Sequence, residues 1–272
     1  TEPTMIDKFC TDSKGNYHIA YISPGSMGGT DVMYANSTDK GFTWTNKTIQ
    51  EGGFAFTEYD QAGIMCNSTD TIFVTYSGDE GFGIKQAYMK DSSDNFATPT
   101  TIIDFSMLFS PGDLDRYSCA INSDSSVHCC GIDDVNNDVL YYVNSSNYNT
   151  LYGPFTSGSD DSDQCDIELS AGNNEVFIVA SGTDQDDLDI FSSRDGFARH
   201  QVYDGSIIPS IGREPSIAIT PDNDIWIAFG DAGDLQLCNG TNNSLTSWSC
   251  QEVDASPSFY IDVALNNRND II

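Results

Sequence analysis

Short apolar runs alternate with polar residues along the whole chain, broken by Gly, Asn, Asp and Ser, and no segment sustains a helical period. The runs come in pairs around a polar turn. They read Phe9-Cys10 with Tyr17–Tyr21, Met65-Cys66 with Ile72–Tyr76, Ala120-Ile121 with Val127–Gly131, Glu168-Leu169 with Val176–Ala180, and Ala218-Ile219 with Ile225–Phe229. A sixth pair begins at Ala264-Leu265 and reaches Asp270–Ile272. Aligned on the last residue of each first run (10, 66, 121, 169, 219 and 265), the period is 46 to 56 residues. Third runs follow at Asp31–Ala35, Ile84–Lys90, Asp138–Val143, Leu188–Ser192 and Leu235–Asn239. Fourth runs follow, for instance, at Trp44–Ile49, Ala97–Ile103, His200–Tyr203 and Ser249–Val253. Four antiparallel strands, A to D, in every ~50 residues predict an all-β fold, a β-propeller of four-stranded blades, with a pair of β-sandwiches as the competing arrangement. One domain would hold five full repeats, near 1–52, 53–107, 108–158, 159–205 and 206–255, plus the start of a sixth at 256–272. The surplus strand predicts either closure within the ring or addition to the sheet edge of another copy.

Between the third and fourth runs of the first repeat stands Ser37-Thr38-Asp39-Lys40-Gly41-Phe42-Thr43-Trp44. The same slot later holds Ser92-Ser93-Asp94-Asn95-Phe96, Ser145-Ser146-Asn147-Tyr148, Ser193-Arg194-Asp195-Gly196-Phe197, and Thr241-Asn242-Asn243 with Trp248. An Asp side chain accepts hydrogen bonds from nearby backbone N–H groups, Gly or Asn tolerates positive φ, and the following aromatic anchors the turn. Ser37, Asp39, Gly41, Thr43 and Trp44 resemble the Asp-box, or BNR repeat, of sialidases, sortilin-like receptors and other secreted propellers. The resemblance implies a sialidase-like propeller in which the box is a structural turn away from any active site. It does not extend to sialidase chemistry, for which that family uses three arginines, a Tyr/Glu nucleophile pair and an Asp. This chain has five Arg; Arg194, Arg199 and Arg268 fall at turns, only Arg116 and Arg213 reach the opposite face, and the family's early Arg-Ile-Pro signature is absent.

Formal charge is −30, from 41 acidic residues against 11 Lys and Arg. Such a surface repels phosphate backbones and anionic lipid, which argues against nucleic acid and membrane insertion as partners. No run approaches the ~18 apolar residues of a membrane span. Eight cysteines, a chain starting at Thr1 without an apolar signal segment, and six sequons (Asn36, Asn46, Asn67, Asn144, Asn239 and Asn242) predict a processed, glycosylated, secreted extracellular protein. A zinc site is not expected, because there is no Cys-x-x-Cys spacing and the only histidines are His18, His128 and His200. The cysteines read as staples: Cys238–Cys250 across a C–D turn, Cys119–Cys129 across an A–B turn, Cys130–Cys165 between neighbouring repeats, and Cys10–Cys66 as the remaining pair. Spacing alone leaves that connectivity open.

In a propeller the A–B and C–D turns share one face, and all six sequons fall there. The D–A and B–C connections make the other face, which is acidic. There Asp133, Asp134 and Asp138, and Asp184, Asp186 and Asp187, offer hard oxygen ligands at short spacing that suit Ca²⁺. Asp60, Asp115 and Asp163 occupy one slot, six residues before the alignment reference, in three successive repeats. Such a trio binds a cation, or serves as acid, base and pKa modulator of a glycoside hydrolase. Tyr59, Phe82, Phe109 and Tyr117 are candidate stacking aromatics. No Gly-x-Ser-x-Gly elbow exists, and the three histidines read as strand residues. The expected function is therefore a secreted, non-catalytic binding, adhesion or structural module working through its acidic face. Its partner would be a glycan, a cationic or protein partner, or copies of itself through residues 256–272. No cofactor is required, with Ca²⁺ as an option; the alternative is a glycoside hydrolase built on the axial carboxylate trio.

Overall fold

The computed structural model describes residues 9–25, 28–52, 59–78, 83–90, 94–104, 117–133, 138–144, 149–155, 162–170, 173–182, 187–203, 211–231, 234–240, 244–255, 261–265 and 271. They form five antiparallel sheets, each built from four consecutive strands in chain order. The first sheet is β1 (Phe9–Thr11), β2 (Tyr17–Pro24), β3 (Thr30–Ser37) and β4 (Thr45–Gln50). The second is β5 (Tyr59–Cys66), β6 (Ile72–Gly78), β7 (Gly83–Met89) and β8 (Thr100–Asp104). The third is β9 (Tyr117–Ile121), β10 (Val127–Asp133), β11 (Asp138–Asn144) and β12 (Asn149–Phe155). The fourth is β13 (Ser162–Leu169), β14 (Val176–Gly182), β15 (Leu188–Ser192) and β16 (His200–Tyr203). The fifth is β17 (Ile211–Ile219), β18 (Ile225–Asp231), β19 (Asp234–Gly240) and β20 (Ser249–Asp254). Beyond them Leu265 and Ile271 make an antiparallel bridge, the pairing that opens each earlier sheet. Among the described residues the only helical piece is a 3-10 turn at Ser193–Asp195.

The chain divides into two compact units: residues 1–114, 121–128 and 142–150 in one, and 115–120, 129–141 and 151–272 in the other. In the first unit Tyr34, Val32 and Ala20 pack against Tyr59, Ile64 and Tyr76 of the second sheet. In the second unit Phe177, Val179 and Ile190 pack against Ile217, Ile227 and Phe229 of the fifth sheet. Burial explains the two kinds of run in the sequence. β2 alternates along its first half because one face is covered, whereas all of β15 is buried.

Four of the five turns between first and second strands close alike, Asp12 N, Asn67 N, Asn122 N and Thr220 N each donating to the carbonyl four residues on, whereas the turn of the fourth sheet is one residue longer, from Ser170 N to Glu175 O. Among the described residues each has one left-handed residue: Gly15 (φ 78°), Asp70 (60°), Ser125 (69°), Asn174 (57°) and Asn223 (66°). This is a turn closed by an αL residue, which restores the strand twist. In four of the five, the side-chain oxygen that opens the turn accepts the N–H that closes it. Asn16 N reaches Asp12 Oδ1 at 2.8 Å, Thr71 N reaches Asn67 Oδ1 at 2.8 Å, Glu175 N reaches Ser170 Oγ at 3.2 Å, and Asp224 N reaches Thr220 Oγ1 at 2.9 Å. In the first unit, neighbouring turns are also tied together. Ser13 N and Oγ both donate to the Asp70 carboxylate at 2.7 Å, and Asn67 Nδ2 donates to Ser125 Oγ at 2.9 Å.

Asp39 locks the turn at Ser37–Trp44. Its Oδ1 accepts Ser37 Oγ and Thr43 N, both at 2.8 Å, and its Oδ2 accepts Thr43 Oγ1 at 2.6 Å. Gly41 N donates to Ser37 Oγ at 2.8 Å and Trp44 Nε1 to Gly41 O at 3.1 Å. These bonds, those of Thr43 foremost, hold the Asp39 carboxyl below the usual aspartate range. Two successive left-handed residues, Lys40 (φ 61°) and Gly41 (φ 88°), make the bend. The fourth sheet repeats it with Gly196 (φ 75°) and Phe197 (φ 65°), so its glycine is displaced by one position and Phe197 takes the left-handed conformation. Its ring is held against Tyr141, with centroids 4.9 Å apart.

Four disulfides join Cys10–Cys66, Cys119–Cys129, Cys130–Cys165 and Cys238–Cys250. The first links the first two sheets and closes 56 residues; the last closes 12 residues between cross-strand partners of β19 and β20. Chain-entropy arguments assign about 4 kcal/mol to the long loop and about 3 kcal/mol to the short one. Guanidinium unfolding should therefore show a larger stability loss for the Cys10→Ser/Cys66→Ser double variant than for Cys238→Ser/Cys250→Ser. The reverse order would mean that native-state packing, not chain entropy, governs these bonds.

Candidate functional site

The first strand of a sheet pairs on one side only, so its other edge needs partners for its N–H and C=O groups. In the second unit one sequence slot, three residues before the alignment reference, supplies them. Ser118 of β9 donates its Oγ to Asp166 Oδ1 of β13 at 2.6 Å. Asp166 Oδ2 accepts the backbone N–H of Ile217 in β17 at 2.9 Å, and Oδ1 also accepts Ile167 N at 2.9 Å. One carboxylate thus connects the first strands of three sheets. The pattern recurs one sheet further on, where Ser216 Oγ donates to Asp262 Oδ1 at 3.2 Å and accepts from Val263 N at 3.2 Å. Residues 261–265 therefore meet β17 through the same slot that joins β13 to β9.

Two residues after Asp166, and on the same side of the strand, stands Glu168. Glu168 is half-buried, and this loss of solvation, followed by the charge of Asp166, pushes its carboxyl up to about 8. Burial also raises Asp166, against the opposing pull of Ser118 Oγ, Ile217 N and Ile167 N. The other repeats put Phe9, Met65, Ala120, Ala218 and Ala264 where the fourth has Glu168. This carboxyl pair was not singled out from the sequence. A shift of three positions in the alignment that produced Asp60, Asp115 and Asp163 exposes it, because that slot reads Asp7, Gly63, Ser118, Asp166, Ser216, Asp262.

Of the expected trio, Asp60 and Asp163 have described backbones in β5 and β13, while their side chains and all of Asp115 lie outside the described residues. Of the expected calcium ligands, Asp187 accepts Arg199 Nη2 at 3.2 Å; Asp134, Asp184 and Asp186 and the side chains of Asp133 and Asp138 lie outside the described residues. Among the described residues no group of three His, Cys, Asp or Glu side chains is placed to hold a metal. Tyr59 and Tyr117, expected as stacking aromatics, are instead core residues, 2% and 1% exposed. Their rings fill the sheet packing, Tyr59 edge-on to Tyr76 with centroids 5.4 Å apart. Phe82 and Phe109 lie outside the described residues.

The described arginine and histidine side chains are engaged by neighbouring groups. Arg194 forks onto Glu175, with Nε 2.5 Å from Oε1 and Nη2 2.9 Å from Oε2. Arg199 bridges Asp189, at 2.7 Å, and Asp187. His18 is fully buried in β2, its Nδ1 2.7 Å from Tyr34 Oη and its Nε2 3.4 Å from Asp12, and burial lowers its pKa. His128 in β10 is 2.9 Å from Ser126 Oγ, with its pKa lowered by burial to about 4. His200, in β16, meets Asp195. The side chain of Arg213, and all of Arg116 and Arg268, lie outside the described residues.

No protein-family model matches this chain, and no curated protein sequence does. Solved structures do resemble it. The intramolecular trans-sialidase of Ruminococcus gnavus superimposes with a TM-score of 0.65 at 10% identity, over 98% of this chain and 88% of that one. The Hadza microbial sialidase Hz136 gives 0.63 at 13% identity, over 96% of this chain but 60% of its own length. A polysaccharide lyase described as an ulvan lyase gives 0.58 at 11% identity, over 90% of this chain and 68% of that one. At these identities the likeness establishes the fold: an all-β chain of four-stranded antiparallel sheets of the sialidase-like β-propeller type.

The Glu168 proton has a measurable consequence. Its folded pKa of about 8 exceeds the ordinary 4.5, so its stabilising contribution is complete below pH 4.5 and is lost as pH rises through about 8. Calorimetric Tm values taken between pH 5 and 9 should fall less steeply for Glu168→Gln than for the wild type. Parallel slopes would show that Glu168 ionises normally in the fold.

Proposed function

We propose that the chain is a secreted, disulfide-stapled, N-glycosylated propeller module that binds carbohydrate without cleaving it. The observation that favours the non-catalytic part is that, among the described residues, both arginines and the Asp166 carboxylate are engaged within the fold. Arg194 is held by Glu175, Arg199 by Asp187 and Asp189, and Asp166 by three donors. Carbohydrate is favoured as ligand because several proteins sharing the fold are described as sialidases or a polysaccharide lyase. Charge refines the class: at −30 the chain disfavours sialylated or sulfated polymers and suits neutral glycans. Four disulfides support an oxidising, extracellular setting, and among the described residues no helix is long and apolar enough to cross a membrane.

A second reading rests on Glu168. A carboxylic acid protonated near neutrality, two residues from another carboxyl, has the protonation state that the acid of a glycoside hydrolase pair requires. A glycan array run with the purified protein, beside a panel of aryl glycosides including an aryl sialoside, separates the two. The binding module predicts saturable retention on neutral glycans, weaker retention on anionic ones, and no release of the aryl group. Turnover abolished by Glu168→Gln would establish the hydrolase instead. Absence of both binding and turnover would remove carbohydrate as the ligand.

A further inference from the structure

The six sequons differ in what the fold leaves available. Asn67 is 7% exposed. Its Oδ1 accepts Thr69 N, Thr69 Oγ1 and Thr71 N at 3.0, 2.9 and 2.8 Å, and its Nδ2 donates to Ser125 Oγ at 2.9 Å. A sugar on that nitrogen would break the tie between two turns. Asn239 is half-buried and donates to Ile225 O at 3.3 Å. Asn36 is half-buried opposite His18, on the face of the first sheet that packs against the second. Asn242 and the Asn144 side chain lie outside the described residues. Asn46 is exposed, in β4 opposite Ala35.

Thr48, the sequon hydroxyl, follows Asn46 by two residues within β4, so strand alternation puts carboxamide and hydroxyl on one face, and Trp44 stands two residues before Asn46, just ahead of the strand. The indole position is fixed independently of that periodicity. Its Nε1 donates to Gly41 O, and a Cβ added at Gly41 would lie 3.8 Å from the Trp44 ring and 3.9 Å from Tyr17. Tyr17 is the cross-strand partner of Ser37, which shares its face with Ala35 and hence with Asn46. The ring is held against the turn, yet Trp44 as a residue is 39% exposed. In extended chain two residues span about 7 Å, enough for one pyranose ring between the Asn46 carboxamide and Trp44.

We propose that Asn46 carries an N-linked glycan whose first N-acetylhexosamine lies on the Trp44 indole, with the C–H face of the sugar against the ring. The inference rests on the reading of the chain as exported through a glycosylating compartment. In the transfer, a bond forms between Asn46 Nδ2 and C1 of the sugar. The C1–O bond to a lipid-pyrophosphate donor breaks, the lipid pyrophosphate leaves with the electron pair, and one amide proton passes to the transferase. The stacked sugar then covers an aromatic ring that the folded chain leaves exposed.

The test is secretion of the full chain from a eukaryotic host, followed by glycopeptide mass spectrometry and melting of material trimmed to one sugar per site. Asn46 should be occupied and Asn67 empty. Tm should be about 2–4 °C higher for wild type than for Asn46→Gln, a shift of the size expected for one aromatic contact in a chain of this length. In a Trp44→Leu background the difference should vanish, and Trp44→Phe, which keeps a ring, should restore most of it. Occupancy elsewhere with Asn46 empty, or a Tm difference that survives Trp44→Leu, would overturn the proposal while leaving the exported-module reading intact. Secreted protein with no sugar at any sequon would overturn both.

Discussion

In the second unit the structure depends on satisfying the unpaired edge of each described first strand. A buried N–H without a partner costs about 1–3 kcal/mol, and a desolvated carboxylate costs several unless donors surround it. The slot shared by Ser118, Asp166, Ser216 and Asp262 answers both needs together, since the side chain of one sheet accepts the N–H of the next. Alternating Ser with Asp matters. A serine can donate to the neighbouring carboxylate, whereas an unbroken row of aspartates would set like charges side by side. A carboxylate used this way holds strands in place, and three donors leave it poorly suited to exchanging protons with a substrate.

The turns carry the second constraint. Each hairpin between first and second strands needs one residue at positive φ, and five different sequences meet that need with Gly, Asp, Ser and two Asn. In the first unit the turn side chains then bind the neighbouring turn, through Ser13 with Asp70 and Asn67 with Ser125. A sequon motif and a turn lock are thus the same residues at Asn67. Sequence spacing cannot separate the two roles; burial can.

Much of the fold was legible because period is a global signal. Strand pairs such as Glu168-Leu169 with Val176–Ala180, and cysteines placed at equivalent repeat positions, follow from alignment without knowledge of any contact. What stayed hidden was local identity. The slot at Asp166 escaped notice because it changes between Gly, Ser and Asp, and its meaning lies in a neighbour about 50 residues away. Tyr59 and Tyr117 looked like surface aromatics because they stand at the beginning of first strands beside acidic residues, yet packing between sheets buries them. The glycine of the fourth sheet's turn sits one place earlier than Gly41, since either of two successive left-handed residues can be the glycine.

Amide hydrogen exchange at Ile217 and Val263 tests the central claim most directly, namely that the carboxylates and serines of this slot hold the strand edges. The account predicts that both amides exchange as slowly as those paired within β17 and β18, and that Asp166→Ala speeds Ile217 while leaving the β17–β18 ladder protected. Fast exchange at Ile217 in the wild type, or no change in Asp166→Ala, would contradict it and return Asp166 to the candidates for chemistry.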